Sequence, residues 1–156
     1  MERIAKFQKV SKEQFVKDGG KNYNSVLLPR RATSGSAGYD FFASEEIIIP
    51  AHSERLVLTG IRAEILNGWV LCVFPRSGLG FKYGISLKNT VGIIDSDYFF
   101  SSNEGHIMVM LSNPSDSDVI IYEGKAFAQG VFLPFGITED DEASLSRDGG
   151  FGSTDK

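Results

Sequence analysis

Four polar clusters interrupt an otherwise apolar and aromatic chain, and each holds residue types able to handle a phosphate or a proton. Pro75-Arg76-Ser77-Gly78-Leu79-Gly80 offers a guanidinium, a hydroxyl and amides freed by glycine. That combination suits phosphate at a helix N-terminus, or an ordinary strand-to-turn transition with a surface arginine. Ala37-Gly38-Tyr39-Asp40 sets a carboxylate after glycine-rich sequence, either a ligand or a turn aspartate bonding its own backbone. In the stretch from Asn89 to Tyr98, Asp95 and Asp97 stand two apart behind Ile93-Ile94. In extended chain both carboxylates would share a face, and the isoleucines could desolvate Asp95 and make it a better base; a hairpin tip would instead leave the pair solvated. The last cluster, Arg147 to Thr154, carries an arginine, hydroxyls and glycine amides that could wrap an anion.

The scaffold that must position these clusters reads as all-β. With 12 Phe, 5 Tyr and 17 Gly, short branched and aromatic runs recur between Gly, Pro and Asn, the pattern of a sandwich or barrel. Strands are predicted at Ser25–Leu28, Tyr39–Ala43, Glu46–Ile49, Arg55–Thr59, Ile61–Leu66, Trp69–Phe74, Thr90–Ile94, Ile107–Leu111, Val119–Tyr122 and Ala126–Phe135. Asn67-Gly68 predicts a type I′ hairpin, and Asn113 to Asp116 and Glu123-Gly124 predict further turns. One short helix is predicted near the start, capped by Ser11, with Gln14 at the capping-box position and Gly19-Gly20 at its end. A second helical turn is predicted at Leu79–Tyr83. The segment 136–156, acidic and then rich in Ser and Gly, reads as a mobile C-terminal tail. The chain thus divides into an N-terminal extension (1–24), a β core (25–135) and the tail, all one domain.

Composition excludes several classes. A chain of 156 residues buries roughly 70% of its unfolded surface and needs no staple. The net charge of −4 and pI near 5.2 argue against nucleic acid or an anionic membrane as partner. The single Cys72 lies in an apolar run and reads as an inert core thiol, which excludes a disulfide framework. No signal peptide or span of apolar residues is evident, so a cytoplasmic location is expected. His52 and His106 both read as solvated or edge residues, with no zinc site or nucleophilic triad in prospect.

The order and spelling of the clusters resemble the trimeric dUTPase family, whose five motifs all have counterparts here. Ala37-Gly38-Tyr39-Asp40 resembles the first, Pro75-Arg76-Ser77-Gly78 the second, and Gly92-Ile93-Ile94-Asp95-Ser96-Asp97-Tyr98 the third. Ala128-Gln129 resembles the core of the fourth, and Gly149-Gly150-Phe151-Gly152-Ser153-Thr154 the fifth. The resemblance implies a jelly-roll-like β-barrel subunit (a β-clip), a homotrimer with shared active sites, and hydrolysis of dUTP to dUMP and pyrophosphate with Mg²⁺. It implies that Asp95 is the base that activates water and that Tyr98 walls off a 2′-hydroxyl. Asn89 and the backbone of Gly92, Ile93 and Ile94 would read uracil, with Met108 nearby. Arg76, Ser77, Gly78 and Gln129 would cradle phosphate, and Asp40 would hold the water shell of Mg²⁺. In the tail, Phe151 would stack on uracil while Arg147, Gly152, Ser153 and Thr154 close on the γ-phosphate as a lid.

The chain departs from the family pattern at three places. Tyr98 is followed by a longer tip, Phe99 to Gly105; Ala126 stands where the fourth motif commonly has arginine; and Arg147 is displaced by one position. A dCTP deaminase of the same fold is the nearest rival. Its glutamate position corresponds to Met110 here, which argues against deamination. A nucleotide-switched regulatory binding protein is the rival from another class.

Overall fold

The computed structural model describes residues 2–144. Branched and aromatic runs form the strands β1 (Ala5–Lys9), β2 (Arg30–Arg31), β3 (Tyr39–Phe42), β4 (Ile47–Ile49), β5 (Ser53–Leu58) and β6 (Ile61–Ile65). They continue with β7 (Trp69–Pro75), β8 (Ser86–Leu87), β9 (Gly92–Ile94), β10 (Met108–Asn113), β11 (Val119–Ile121) and β12 (Ala126–Pro134). Two short helices, α1 (Lys12–Lys17) and α2 (Ser77–Tyr83), and 3-10 turns at Tyr23–Ser25 and Ser96–Phe100 complete the elements. The protein is all-β, as its composition predicts.

The strands pair antiparallel in four sheets. The largest runs in the order β2-β3-β12-β7-β9; the others are β5-β10-β8, β1-β6 and β11-β4. Their inner faces meet in one core in which Phe15, Phe41, Ile49, Ile61, Leu71, Leu111 and Phe127 are fully buried. Strict alternation is visible along β10, where Val109, Leu111 and Asn113 point inward. Each such apolar side chain is worth about 1.5–3 kcal/mol relative to exposure. Among the described residues no helix is long and apolar enough to cross a membrane.

Helix α1 forms with Ser11 as its predicted cap, Oγ accepting the Gln14 N–H at 3.0 Å. The capping box does not close, because the Gln14 amide donates to Asp18 and the Ser11 N–H donates to Glu104. Four other expectations are corrected. Ser25–Leu28 is not a strand but the end of a 3-10 turn and irregular chain. Asn67-Gly68 is a turn in which only Gly68 has positive φ, 82°, so it is not type I′. Nor does it join paired strands, because β6 takes β1 as its partner while β7 lies between β12 and β9. Asp97 does not continue an extended strand beside Asp95, because the chain coils into the 3-10 turn at Ser96. His106 is not at an edge: it is fully buried, and only His52 is exposed. The segment read as an N-terminal extension supplies β1, which pairs with β6 from Ala5↔Ile65 to Lys9↔Ile61.

Candidate active site

Strand β7 organises the candidate residues: one group lies off its C-terminal end and the other runs along its β9 edge. At the C-terminal end the chain leaves Pro75, and Arg76 caps α2 with extended backbone (φ −71°, ψ 138°). The Arg76 carbonyl accepts from the Leu79 and Gly80 amides at 3.1 and 3.0 Å. The preceding amides, of Ser77 and Gly78, belong to the turn whose N–H groups a helix start leaves without intrahelical partners. Arg76, Ser77 and Gly78 are all exposed. The turn ends at Gly84, whose φ of 70° supplies the left-handed cap.

Two neighbouring strands bring polar groups to the same place. Gln129 on β12 faces Asp40 on β3 and Phe74 on β7, and its amide donates to the Pro75 carbonyl at 3.3 Å. Asp40 Oδ1 lies 3.4 Å from Arg76 Nε, with the carboxylate mostly buried and the guanidinium half exposed. A Cβ at Gly38 would stand 2.8 Å from Gln129 Oε1, so glycine there is what leaves the amide its place. Sequence positions far apart thus form one cluster: a cation, a carboxylate, an amide and a helix start. That set suits phosphate oxygens.

The second group runs along the β9 edge of β7, from Gly92 opposite Val73 toward the N-terminal end, where Asp95 follows Ile94. The edge strand β9 pairs only with β7, as Val73↔Gly92, Cys72↔Ile93 and Leu71↔Ile94. A Cβ on Gly92 would come within 3.2 Å of Val73 Cβ, so glycine permits this close approach. The far side of the β9 backbone is not used by that pairing and faces outward with Ile93, which is 56% exposed. Before it, the Val91 amide closes on the Asn89 carbonyl at 2.7 Å around Thr90, a β-branched residue at φ 68°. Such a tight turn is strained. After it, Asp95 caps the 3-10 turn with φ −77°, ψ 159°, half-buried, and its carbonyl accepts the Tyr98 N–H. Tyr98 is buried. Cys72 lies near enough that burial first, and the Asp95 charge second, push its thiol pKa up, in keeping with an inert thiol.

The structure therefore brings Asp40, Arg76, Ser77, Gly78 and Gln129 together, and separately Asn89, Gly92, Ile93, Ile94, Asp95 and Tyr98. Met108 is on β10 opposite Leu58, in the three-stranded sheet and not in that of β9. Arg147, Phe151, Gly152, Ser153 and Thr154, and the greater part of the tail, lie outside the described residues. Gly92, opposite Val73, borders the cradle, whereas Asp95 is carried away from it. Asp95 falls opposite Val70, and Arg76 is six residues further along, roughly 20 Å at about 3.3 Å per residue. The strand predicted from Thr90 begins only at Gly92, because Thr90 turns with φ 68°. The longer tip after Tyr98, seen in the sequence, did not disclose what its Asn103 holds.

Among the described residues no three or more His, Cys, Asp or Glu gather as a metal cage. A single carboxylate beside a phosphate cradle fits Mg²⁺ well, since that ion keeps several waters and binds through one or two carboxylates plus phosphates.

A family model described as dUTPase matches residues 24–155. A deoxyuridine 5'-triphosphate nucleotidohydrolase of Lactococcus lactis subsp. lactis is 40% identical over 132 residues, covering 83% of this chain and 88% of that protein. One from Hydrogenobaculum is 42% identical over 135 residues, covering 83% and 90%. A solved dUTPase from Streptococcus mutans superposes with a TM-score of 0.71 at 37% identity, over 85% of this chain and 98% of the other. A mutant dUTPase from phage phi11 of S. aureus, with a structural Mg(II) ion, shares the fold at TM-score 0.69 and 18% identity, over 92% and 98%.

Proposed function

Because the chain belongs to the dUTPase family, we propose that it hydrolyses dUTP to dUMP and pyrophosphate through water activated by Asp95. The meeting of Arg76, Asp40 and Gln129 at the start of α2 carries this reading, because nothing else in the described chain gathers phosphate-binding groups from three strands.

In the reaction Asp95 takes a proton from a water molecule as its oxygen bonds to the α-phosphorus. The bond from that phosphorus to the bridging oxygen breaks, and pyrophosphate leaves. Arg76 and the Ser77 and Gly78 amides neutralise and hold its oxygens, with Gln129 beside them. Mg²⁺, reached from Asp40 through water, would add charge neutralisation on the phosphates. Asn89 and the outward edge of Gly92, Ile93 and Ile94 read uracil. A backbone N–H opposite position 4 donates to the uracil carbonyl and opposes the cytosine amino group, which leaves two donors facing each other. Tyr98 excludes a 2′-hydroxyl. Phe151, Arg147, Ser153 and Thr154 act as a closing lid, on the strength of the family motif.

A base must lie within hydrogen-bond reach of the water it activates, so Asp95 and the cradle must come within the length of a triphosphate. The six-residue spacing between Arg76 and Asp95 along β7 supports a site shared between copies, in a homotrimer acting on the cytoplasmic nucleotide pool. Pyrophosphate release measured with dUTP, dCTP, dTTP and UTP in parallel, with and without Mg²⁺, tests the reading. Release from dUTP alone is expected; release from dCTP at a similar rate would refute it.

A further inference from the structure

The segment Asn103-Glu104-Gly105-His106 belongs to none of the five motifs, yet every residue in it is committed to a contact. Asn103 Oδ1 accepts the Gly105 N–H at 3.1 Å, which turns Nδ2 toward Tyr98, and Nδ2 donates to the Tyr98 hydroxyl at 2.9 Å. That hydroxyl donates in turn to the His106 carbonyl at 2.8 Å. The phenol tip is therefore held by one donor and one acceptor from the same four-residue turn. Gly105 has φ 70°, and a Cβ there would stand 2.7 Å from the Tyr98 carbonyl, so the turn lies directly under the residue it holds.

The turn is itself anchored at both ends of α1. The Glu104 carboxylate accepts the Ser11 N–H at 2.8 Å and its hydroxyl at 2.7 Å, at the N-terminal cap. The His106 ring, with no exposed surface, lies 2.6 Å from Asp18 Oδ2 at the C-terminal cap. Its Nε2 accepts the Gly60 N–H at 2.9 Å, so the remaining proton sits on Nδ1 and points to Asp18. From the other side Arg62 stacks over the Phe99 ring, 3.5 Å from its centroid, and donates to the Phe99 carbonyl at 3.0 Å.

We propose that Asn103 is a positioning residue for Tyr98, fixing the ring angle that excludes a 2′-hydroxyl, and that α1 is the foundation for that turn. The proposal rests on the reading of Tyr98 given above. A phenol fixed only at Cβ still tilts about its two side-chain torsions, whereas one pinned at the hydroxyl does not, and discrimination by a wall depends on the wall staying put.

Asn103→Asp tests this, because aspartate keeps the acceptor for Gly105 but cannot donate to Tyr98. The single hydroxyl proton of Tyr98 can then serve the new carboxylate or the His106 carbonyl and not both, so the tip keeps one bond of its two. The ratio of kcat/KM for dUTP over UTP is expected to fall about three- to tenfold, the range one neutral hydrogen bond carries. In the Tyr98→Phe background, which removes both tip bonds without touching the turn, Asn103→Asp is expected to change the ratio no further. Tyr98→Phe alone gives at least the same fall if Asn103→Asp does not fold. An unchanged ratio in Asn103→Asp, or a fall of the same size in the Tyr98→Phe background, overturns the proposal. The Tyr98 Cζ NMR resonance of the ligand-free protein reads the contact without any substrate: it is expected to shift in Asn103→Asp, and no shift overturns the proposal. Wild-type protein that hydrolyses dUTP and UTP equally would instead refute the role given to Tyr98, with the resonance still deciding whether Asn103 holds the ring.

Discussion

If Asp95 and Arg76 lie off opposite ends of β7, they serve one substrate only when they come from different chains. Mixing two defective variants turns that geometry into a number. Asp95→Asn removes the base, a loss of roughly 10²–10⁴-fold in turnover. Arg76→Ala removes a charge-assisted contact worth about 1.5–3 kcal/mol, which is roughly a ten- to 150-fold loss. Each variant alone should therefore retain at most about a tenth of wild-type turnover.

When equal amounts are unfolded together and refolded, assembly is random. A site drawing its base from one chain and its cradle from another has each intact half of the time, so about a quarter of sites carry both. Pyrophosphate release from dUTP should then rise to about a quarter of the wild-type rate per site, well above either variant refolded alone. Native mass spectrometry with one variant isotopically labelled verifies that mixed oligomers formed. If one chain supplied both groups, every site would carry one lesion and the mixture would only average its parents. That outcome, in confirmed mixed oligomers, would refute the inference from β7.

Acid should weaken the fold through His106. Its burial lowers the ring pKa below 6.5, against the opposing pull of Asp18 and Glu104. A folded-state pKa below the unfolded one means the unfolded chain binds more protons, so stability is complete above about pH 6.5 and falls as pH drops toward the lowered value. Urea midpoints at pH 7.5 and 5.5 should differ in that sense, and less in His106→Gln. Gly105→Ala should cost about 1–3 kcal/mol in chemical denaturation, because it meets both a positive φ of 70° and a contact of 2.7 Å. Deleting residues 145–156 should sharply lower dUTP turnover, measured beside an unfolding midpoint expected to stay in place, since the hydrophobic core and the residues packed on it lie between positions 7 and 132.

The parts of this fold legible in sequence are those decided locally. Ser11 caps α1 because its hydroxyl reaches an amide three residues on, and a proline followed by Arg-Ser-Gly announces the start of α2. β1 was not legible: Ala5 to Lys9 carries two lysines and a glutamine, and becomes a strand only because β6 lies beside it. His106 was misread for the same reason. The polar turn Asn103-Glu104-Gly105 before it reads as solvated, and its partner Asp18 is 88 residues away. Asn67-Gly68 shows the converse case, a turn signal that is obeyed without the pairing that usually accompanies it.

The candidate site divides along the same line. Along the chain its residues run Asp40, Arg76, Asp95, Gln129, an order in which the base sits between two parts of the cradle. The sheet order β2-β3-β12-β7-β9 undoes this: it places β12 between β3 and β7, so Gln129 falls beside Asp40, Asp40 meets Arg76 and Gln129 bonds the Pro75 carbonyl next to it. It places β9 antiparallel on the far side of β7, which carries Asp95 back toward Val70 and away from Arg76. Motif spelling identifies the parts because each depends on a few adjacent residues. Their division into two groups depends on strand order and direction, which no short motif encodes. On the shared-site reading proposed here, the active site is thus a property of the sheet and, through the distance between Arg76 and Asp95, of the oligomer.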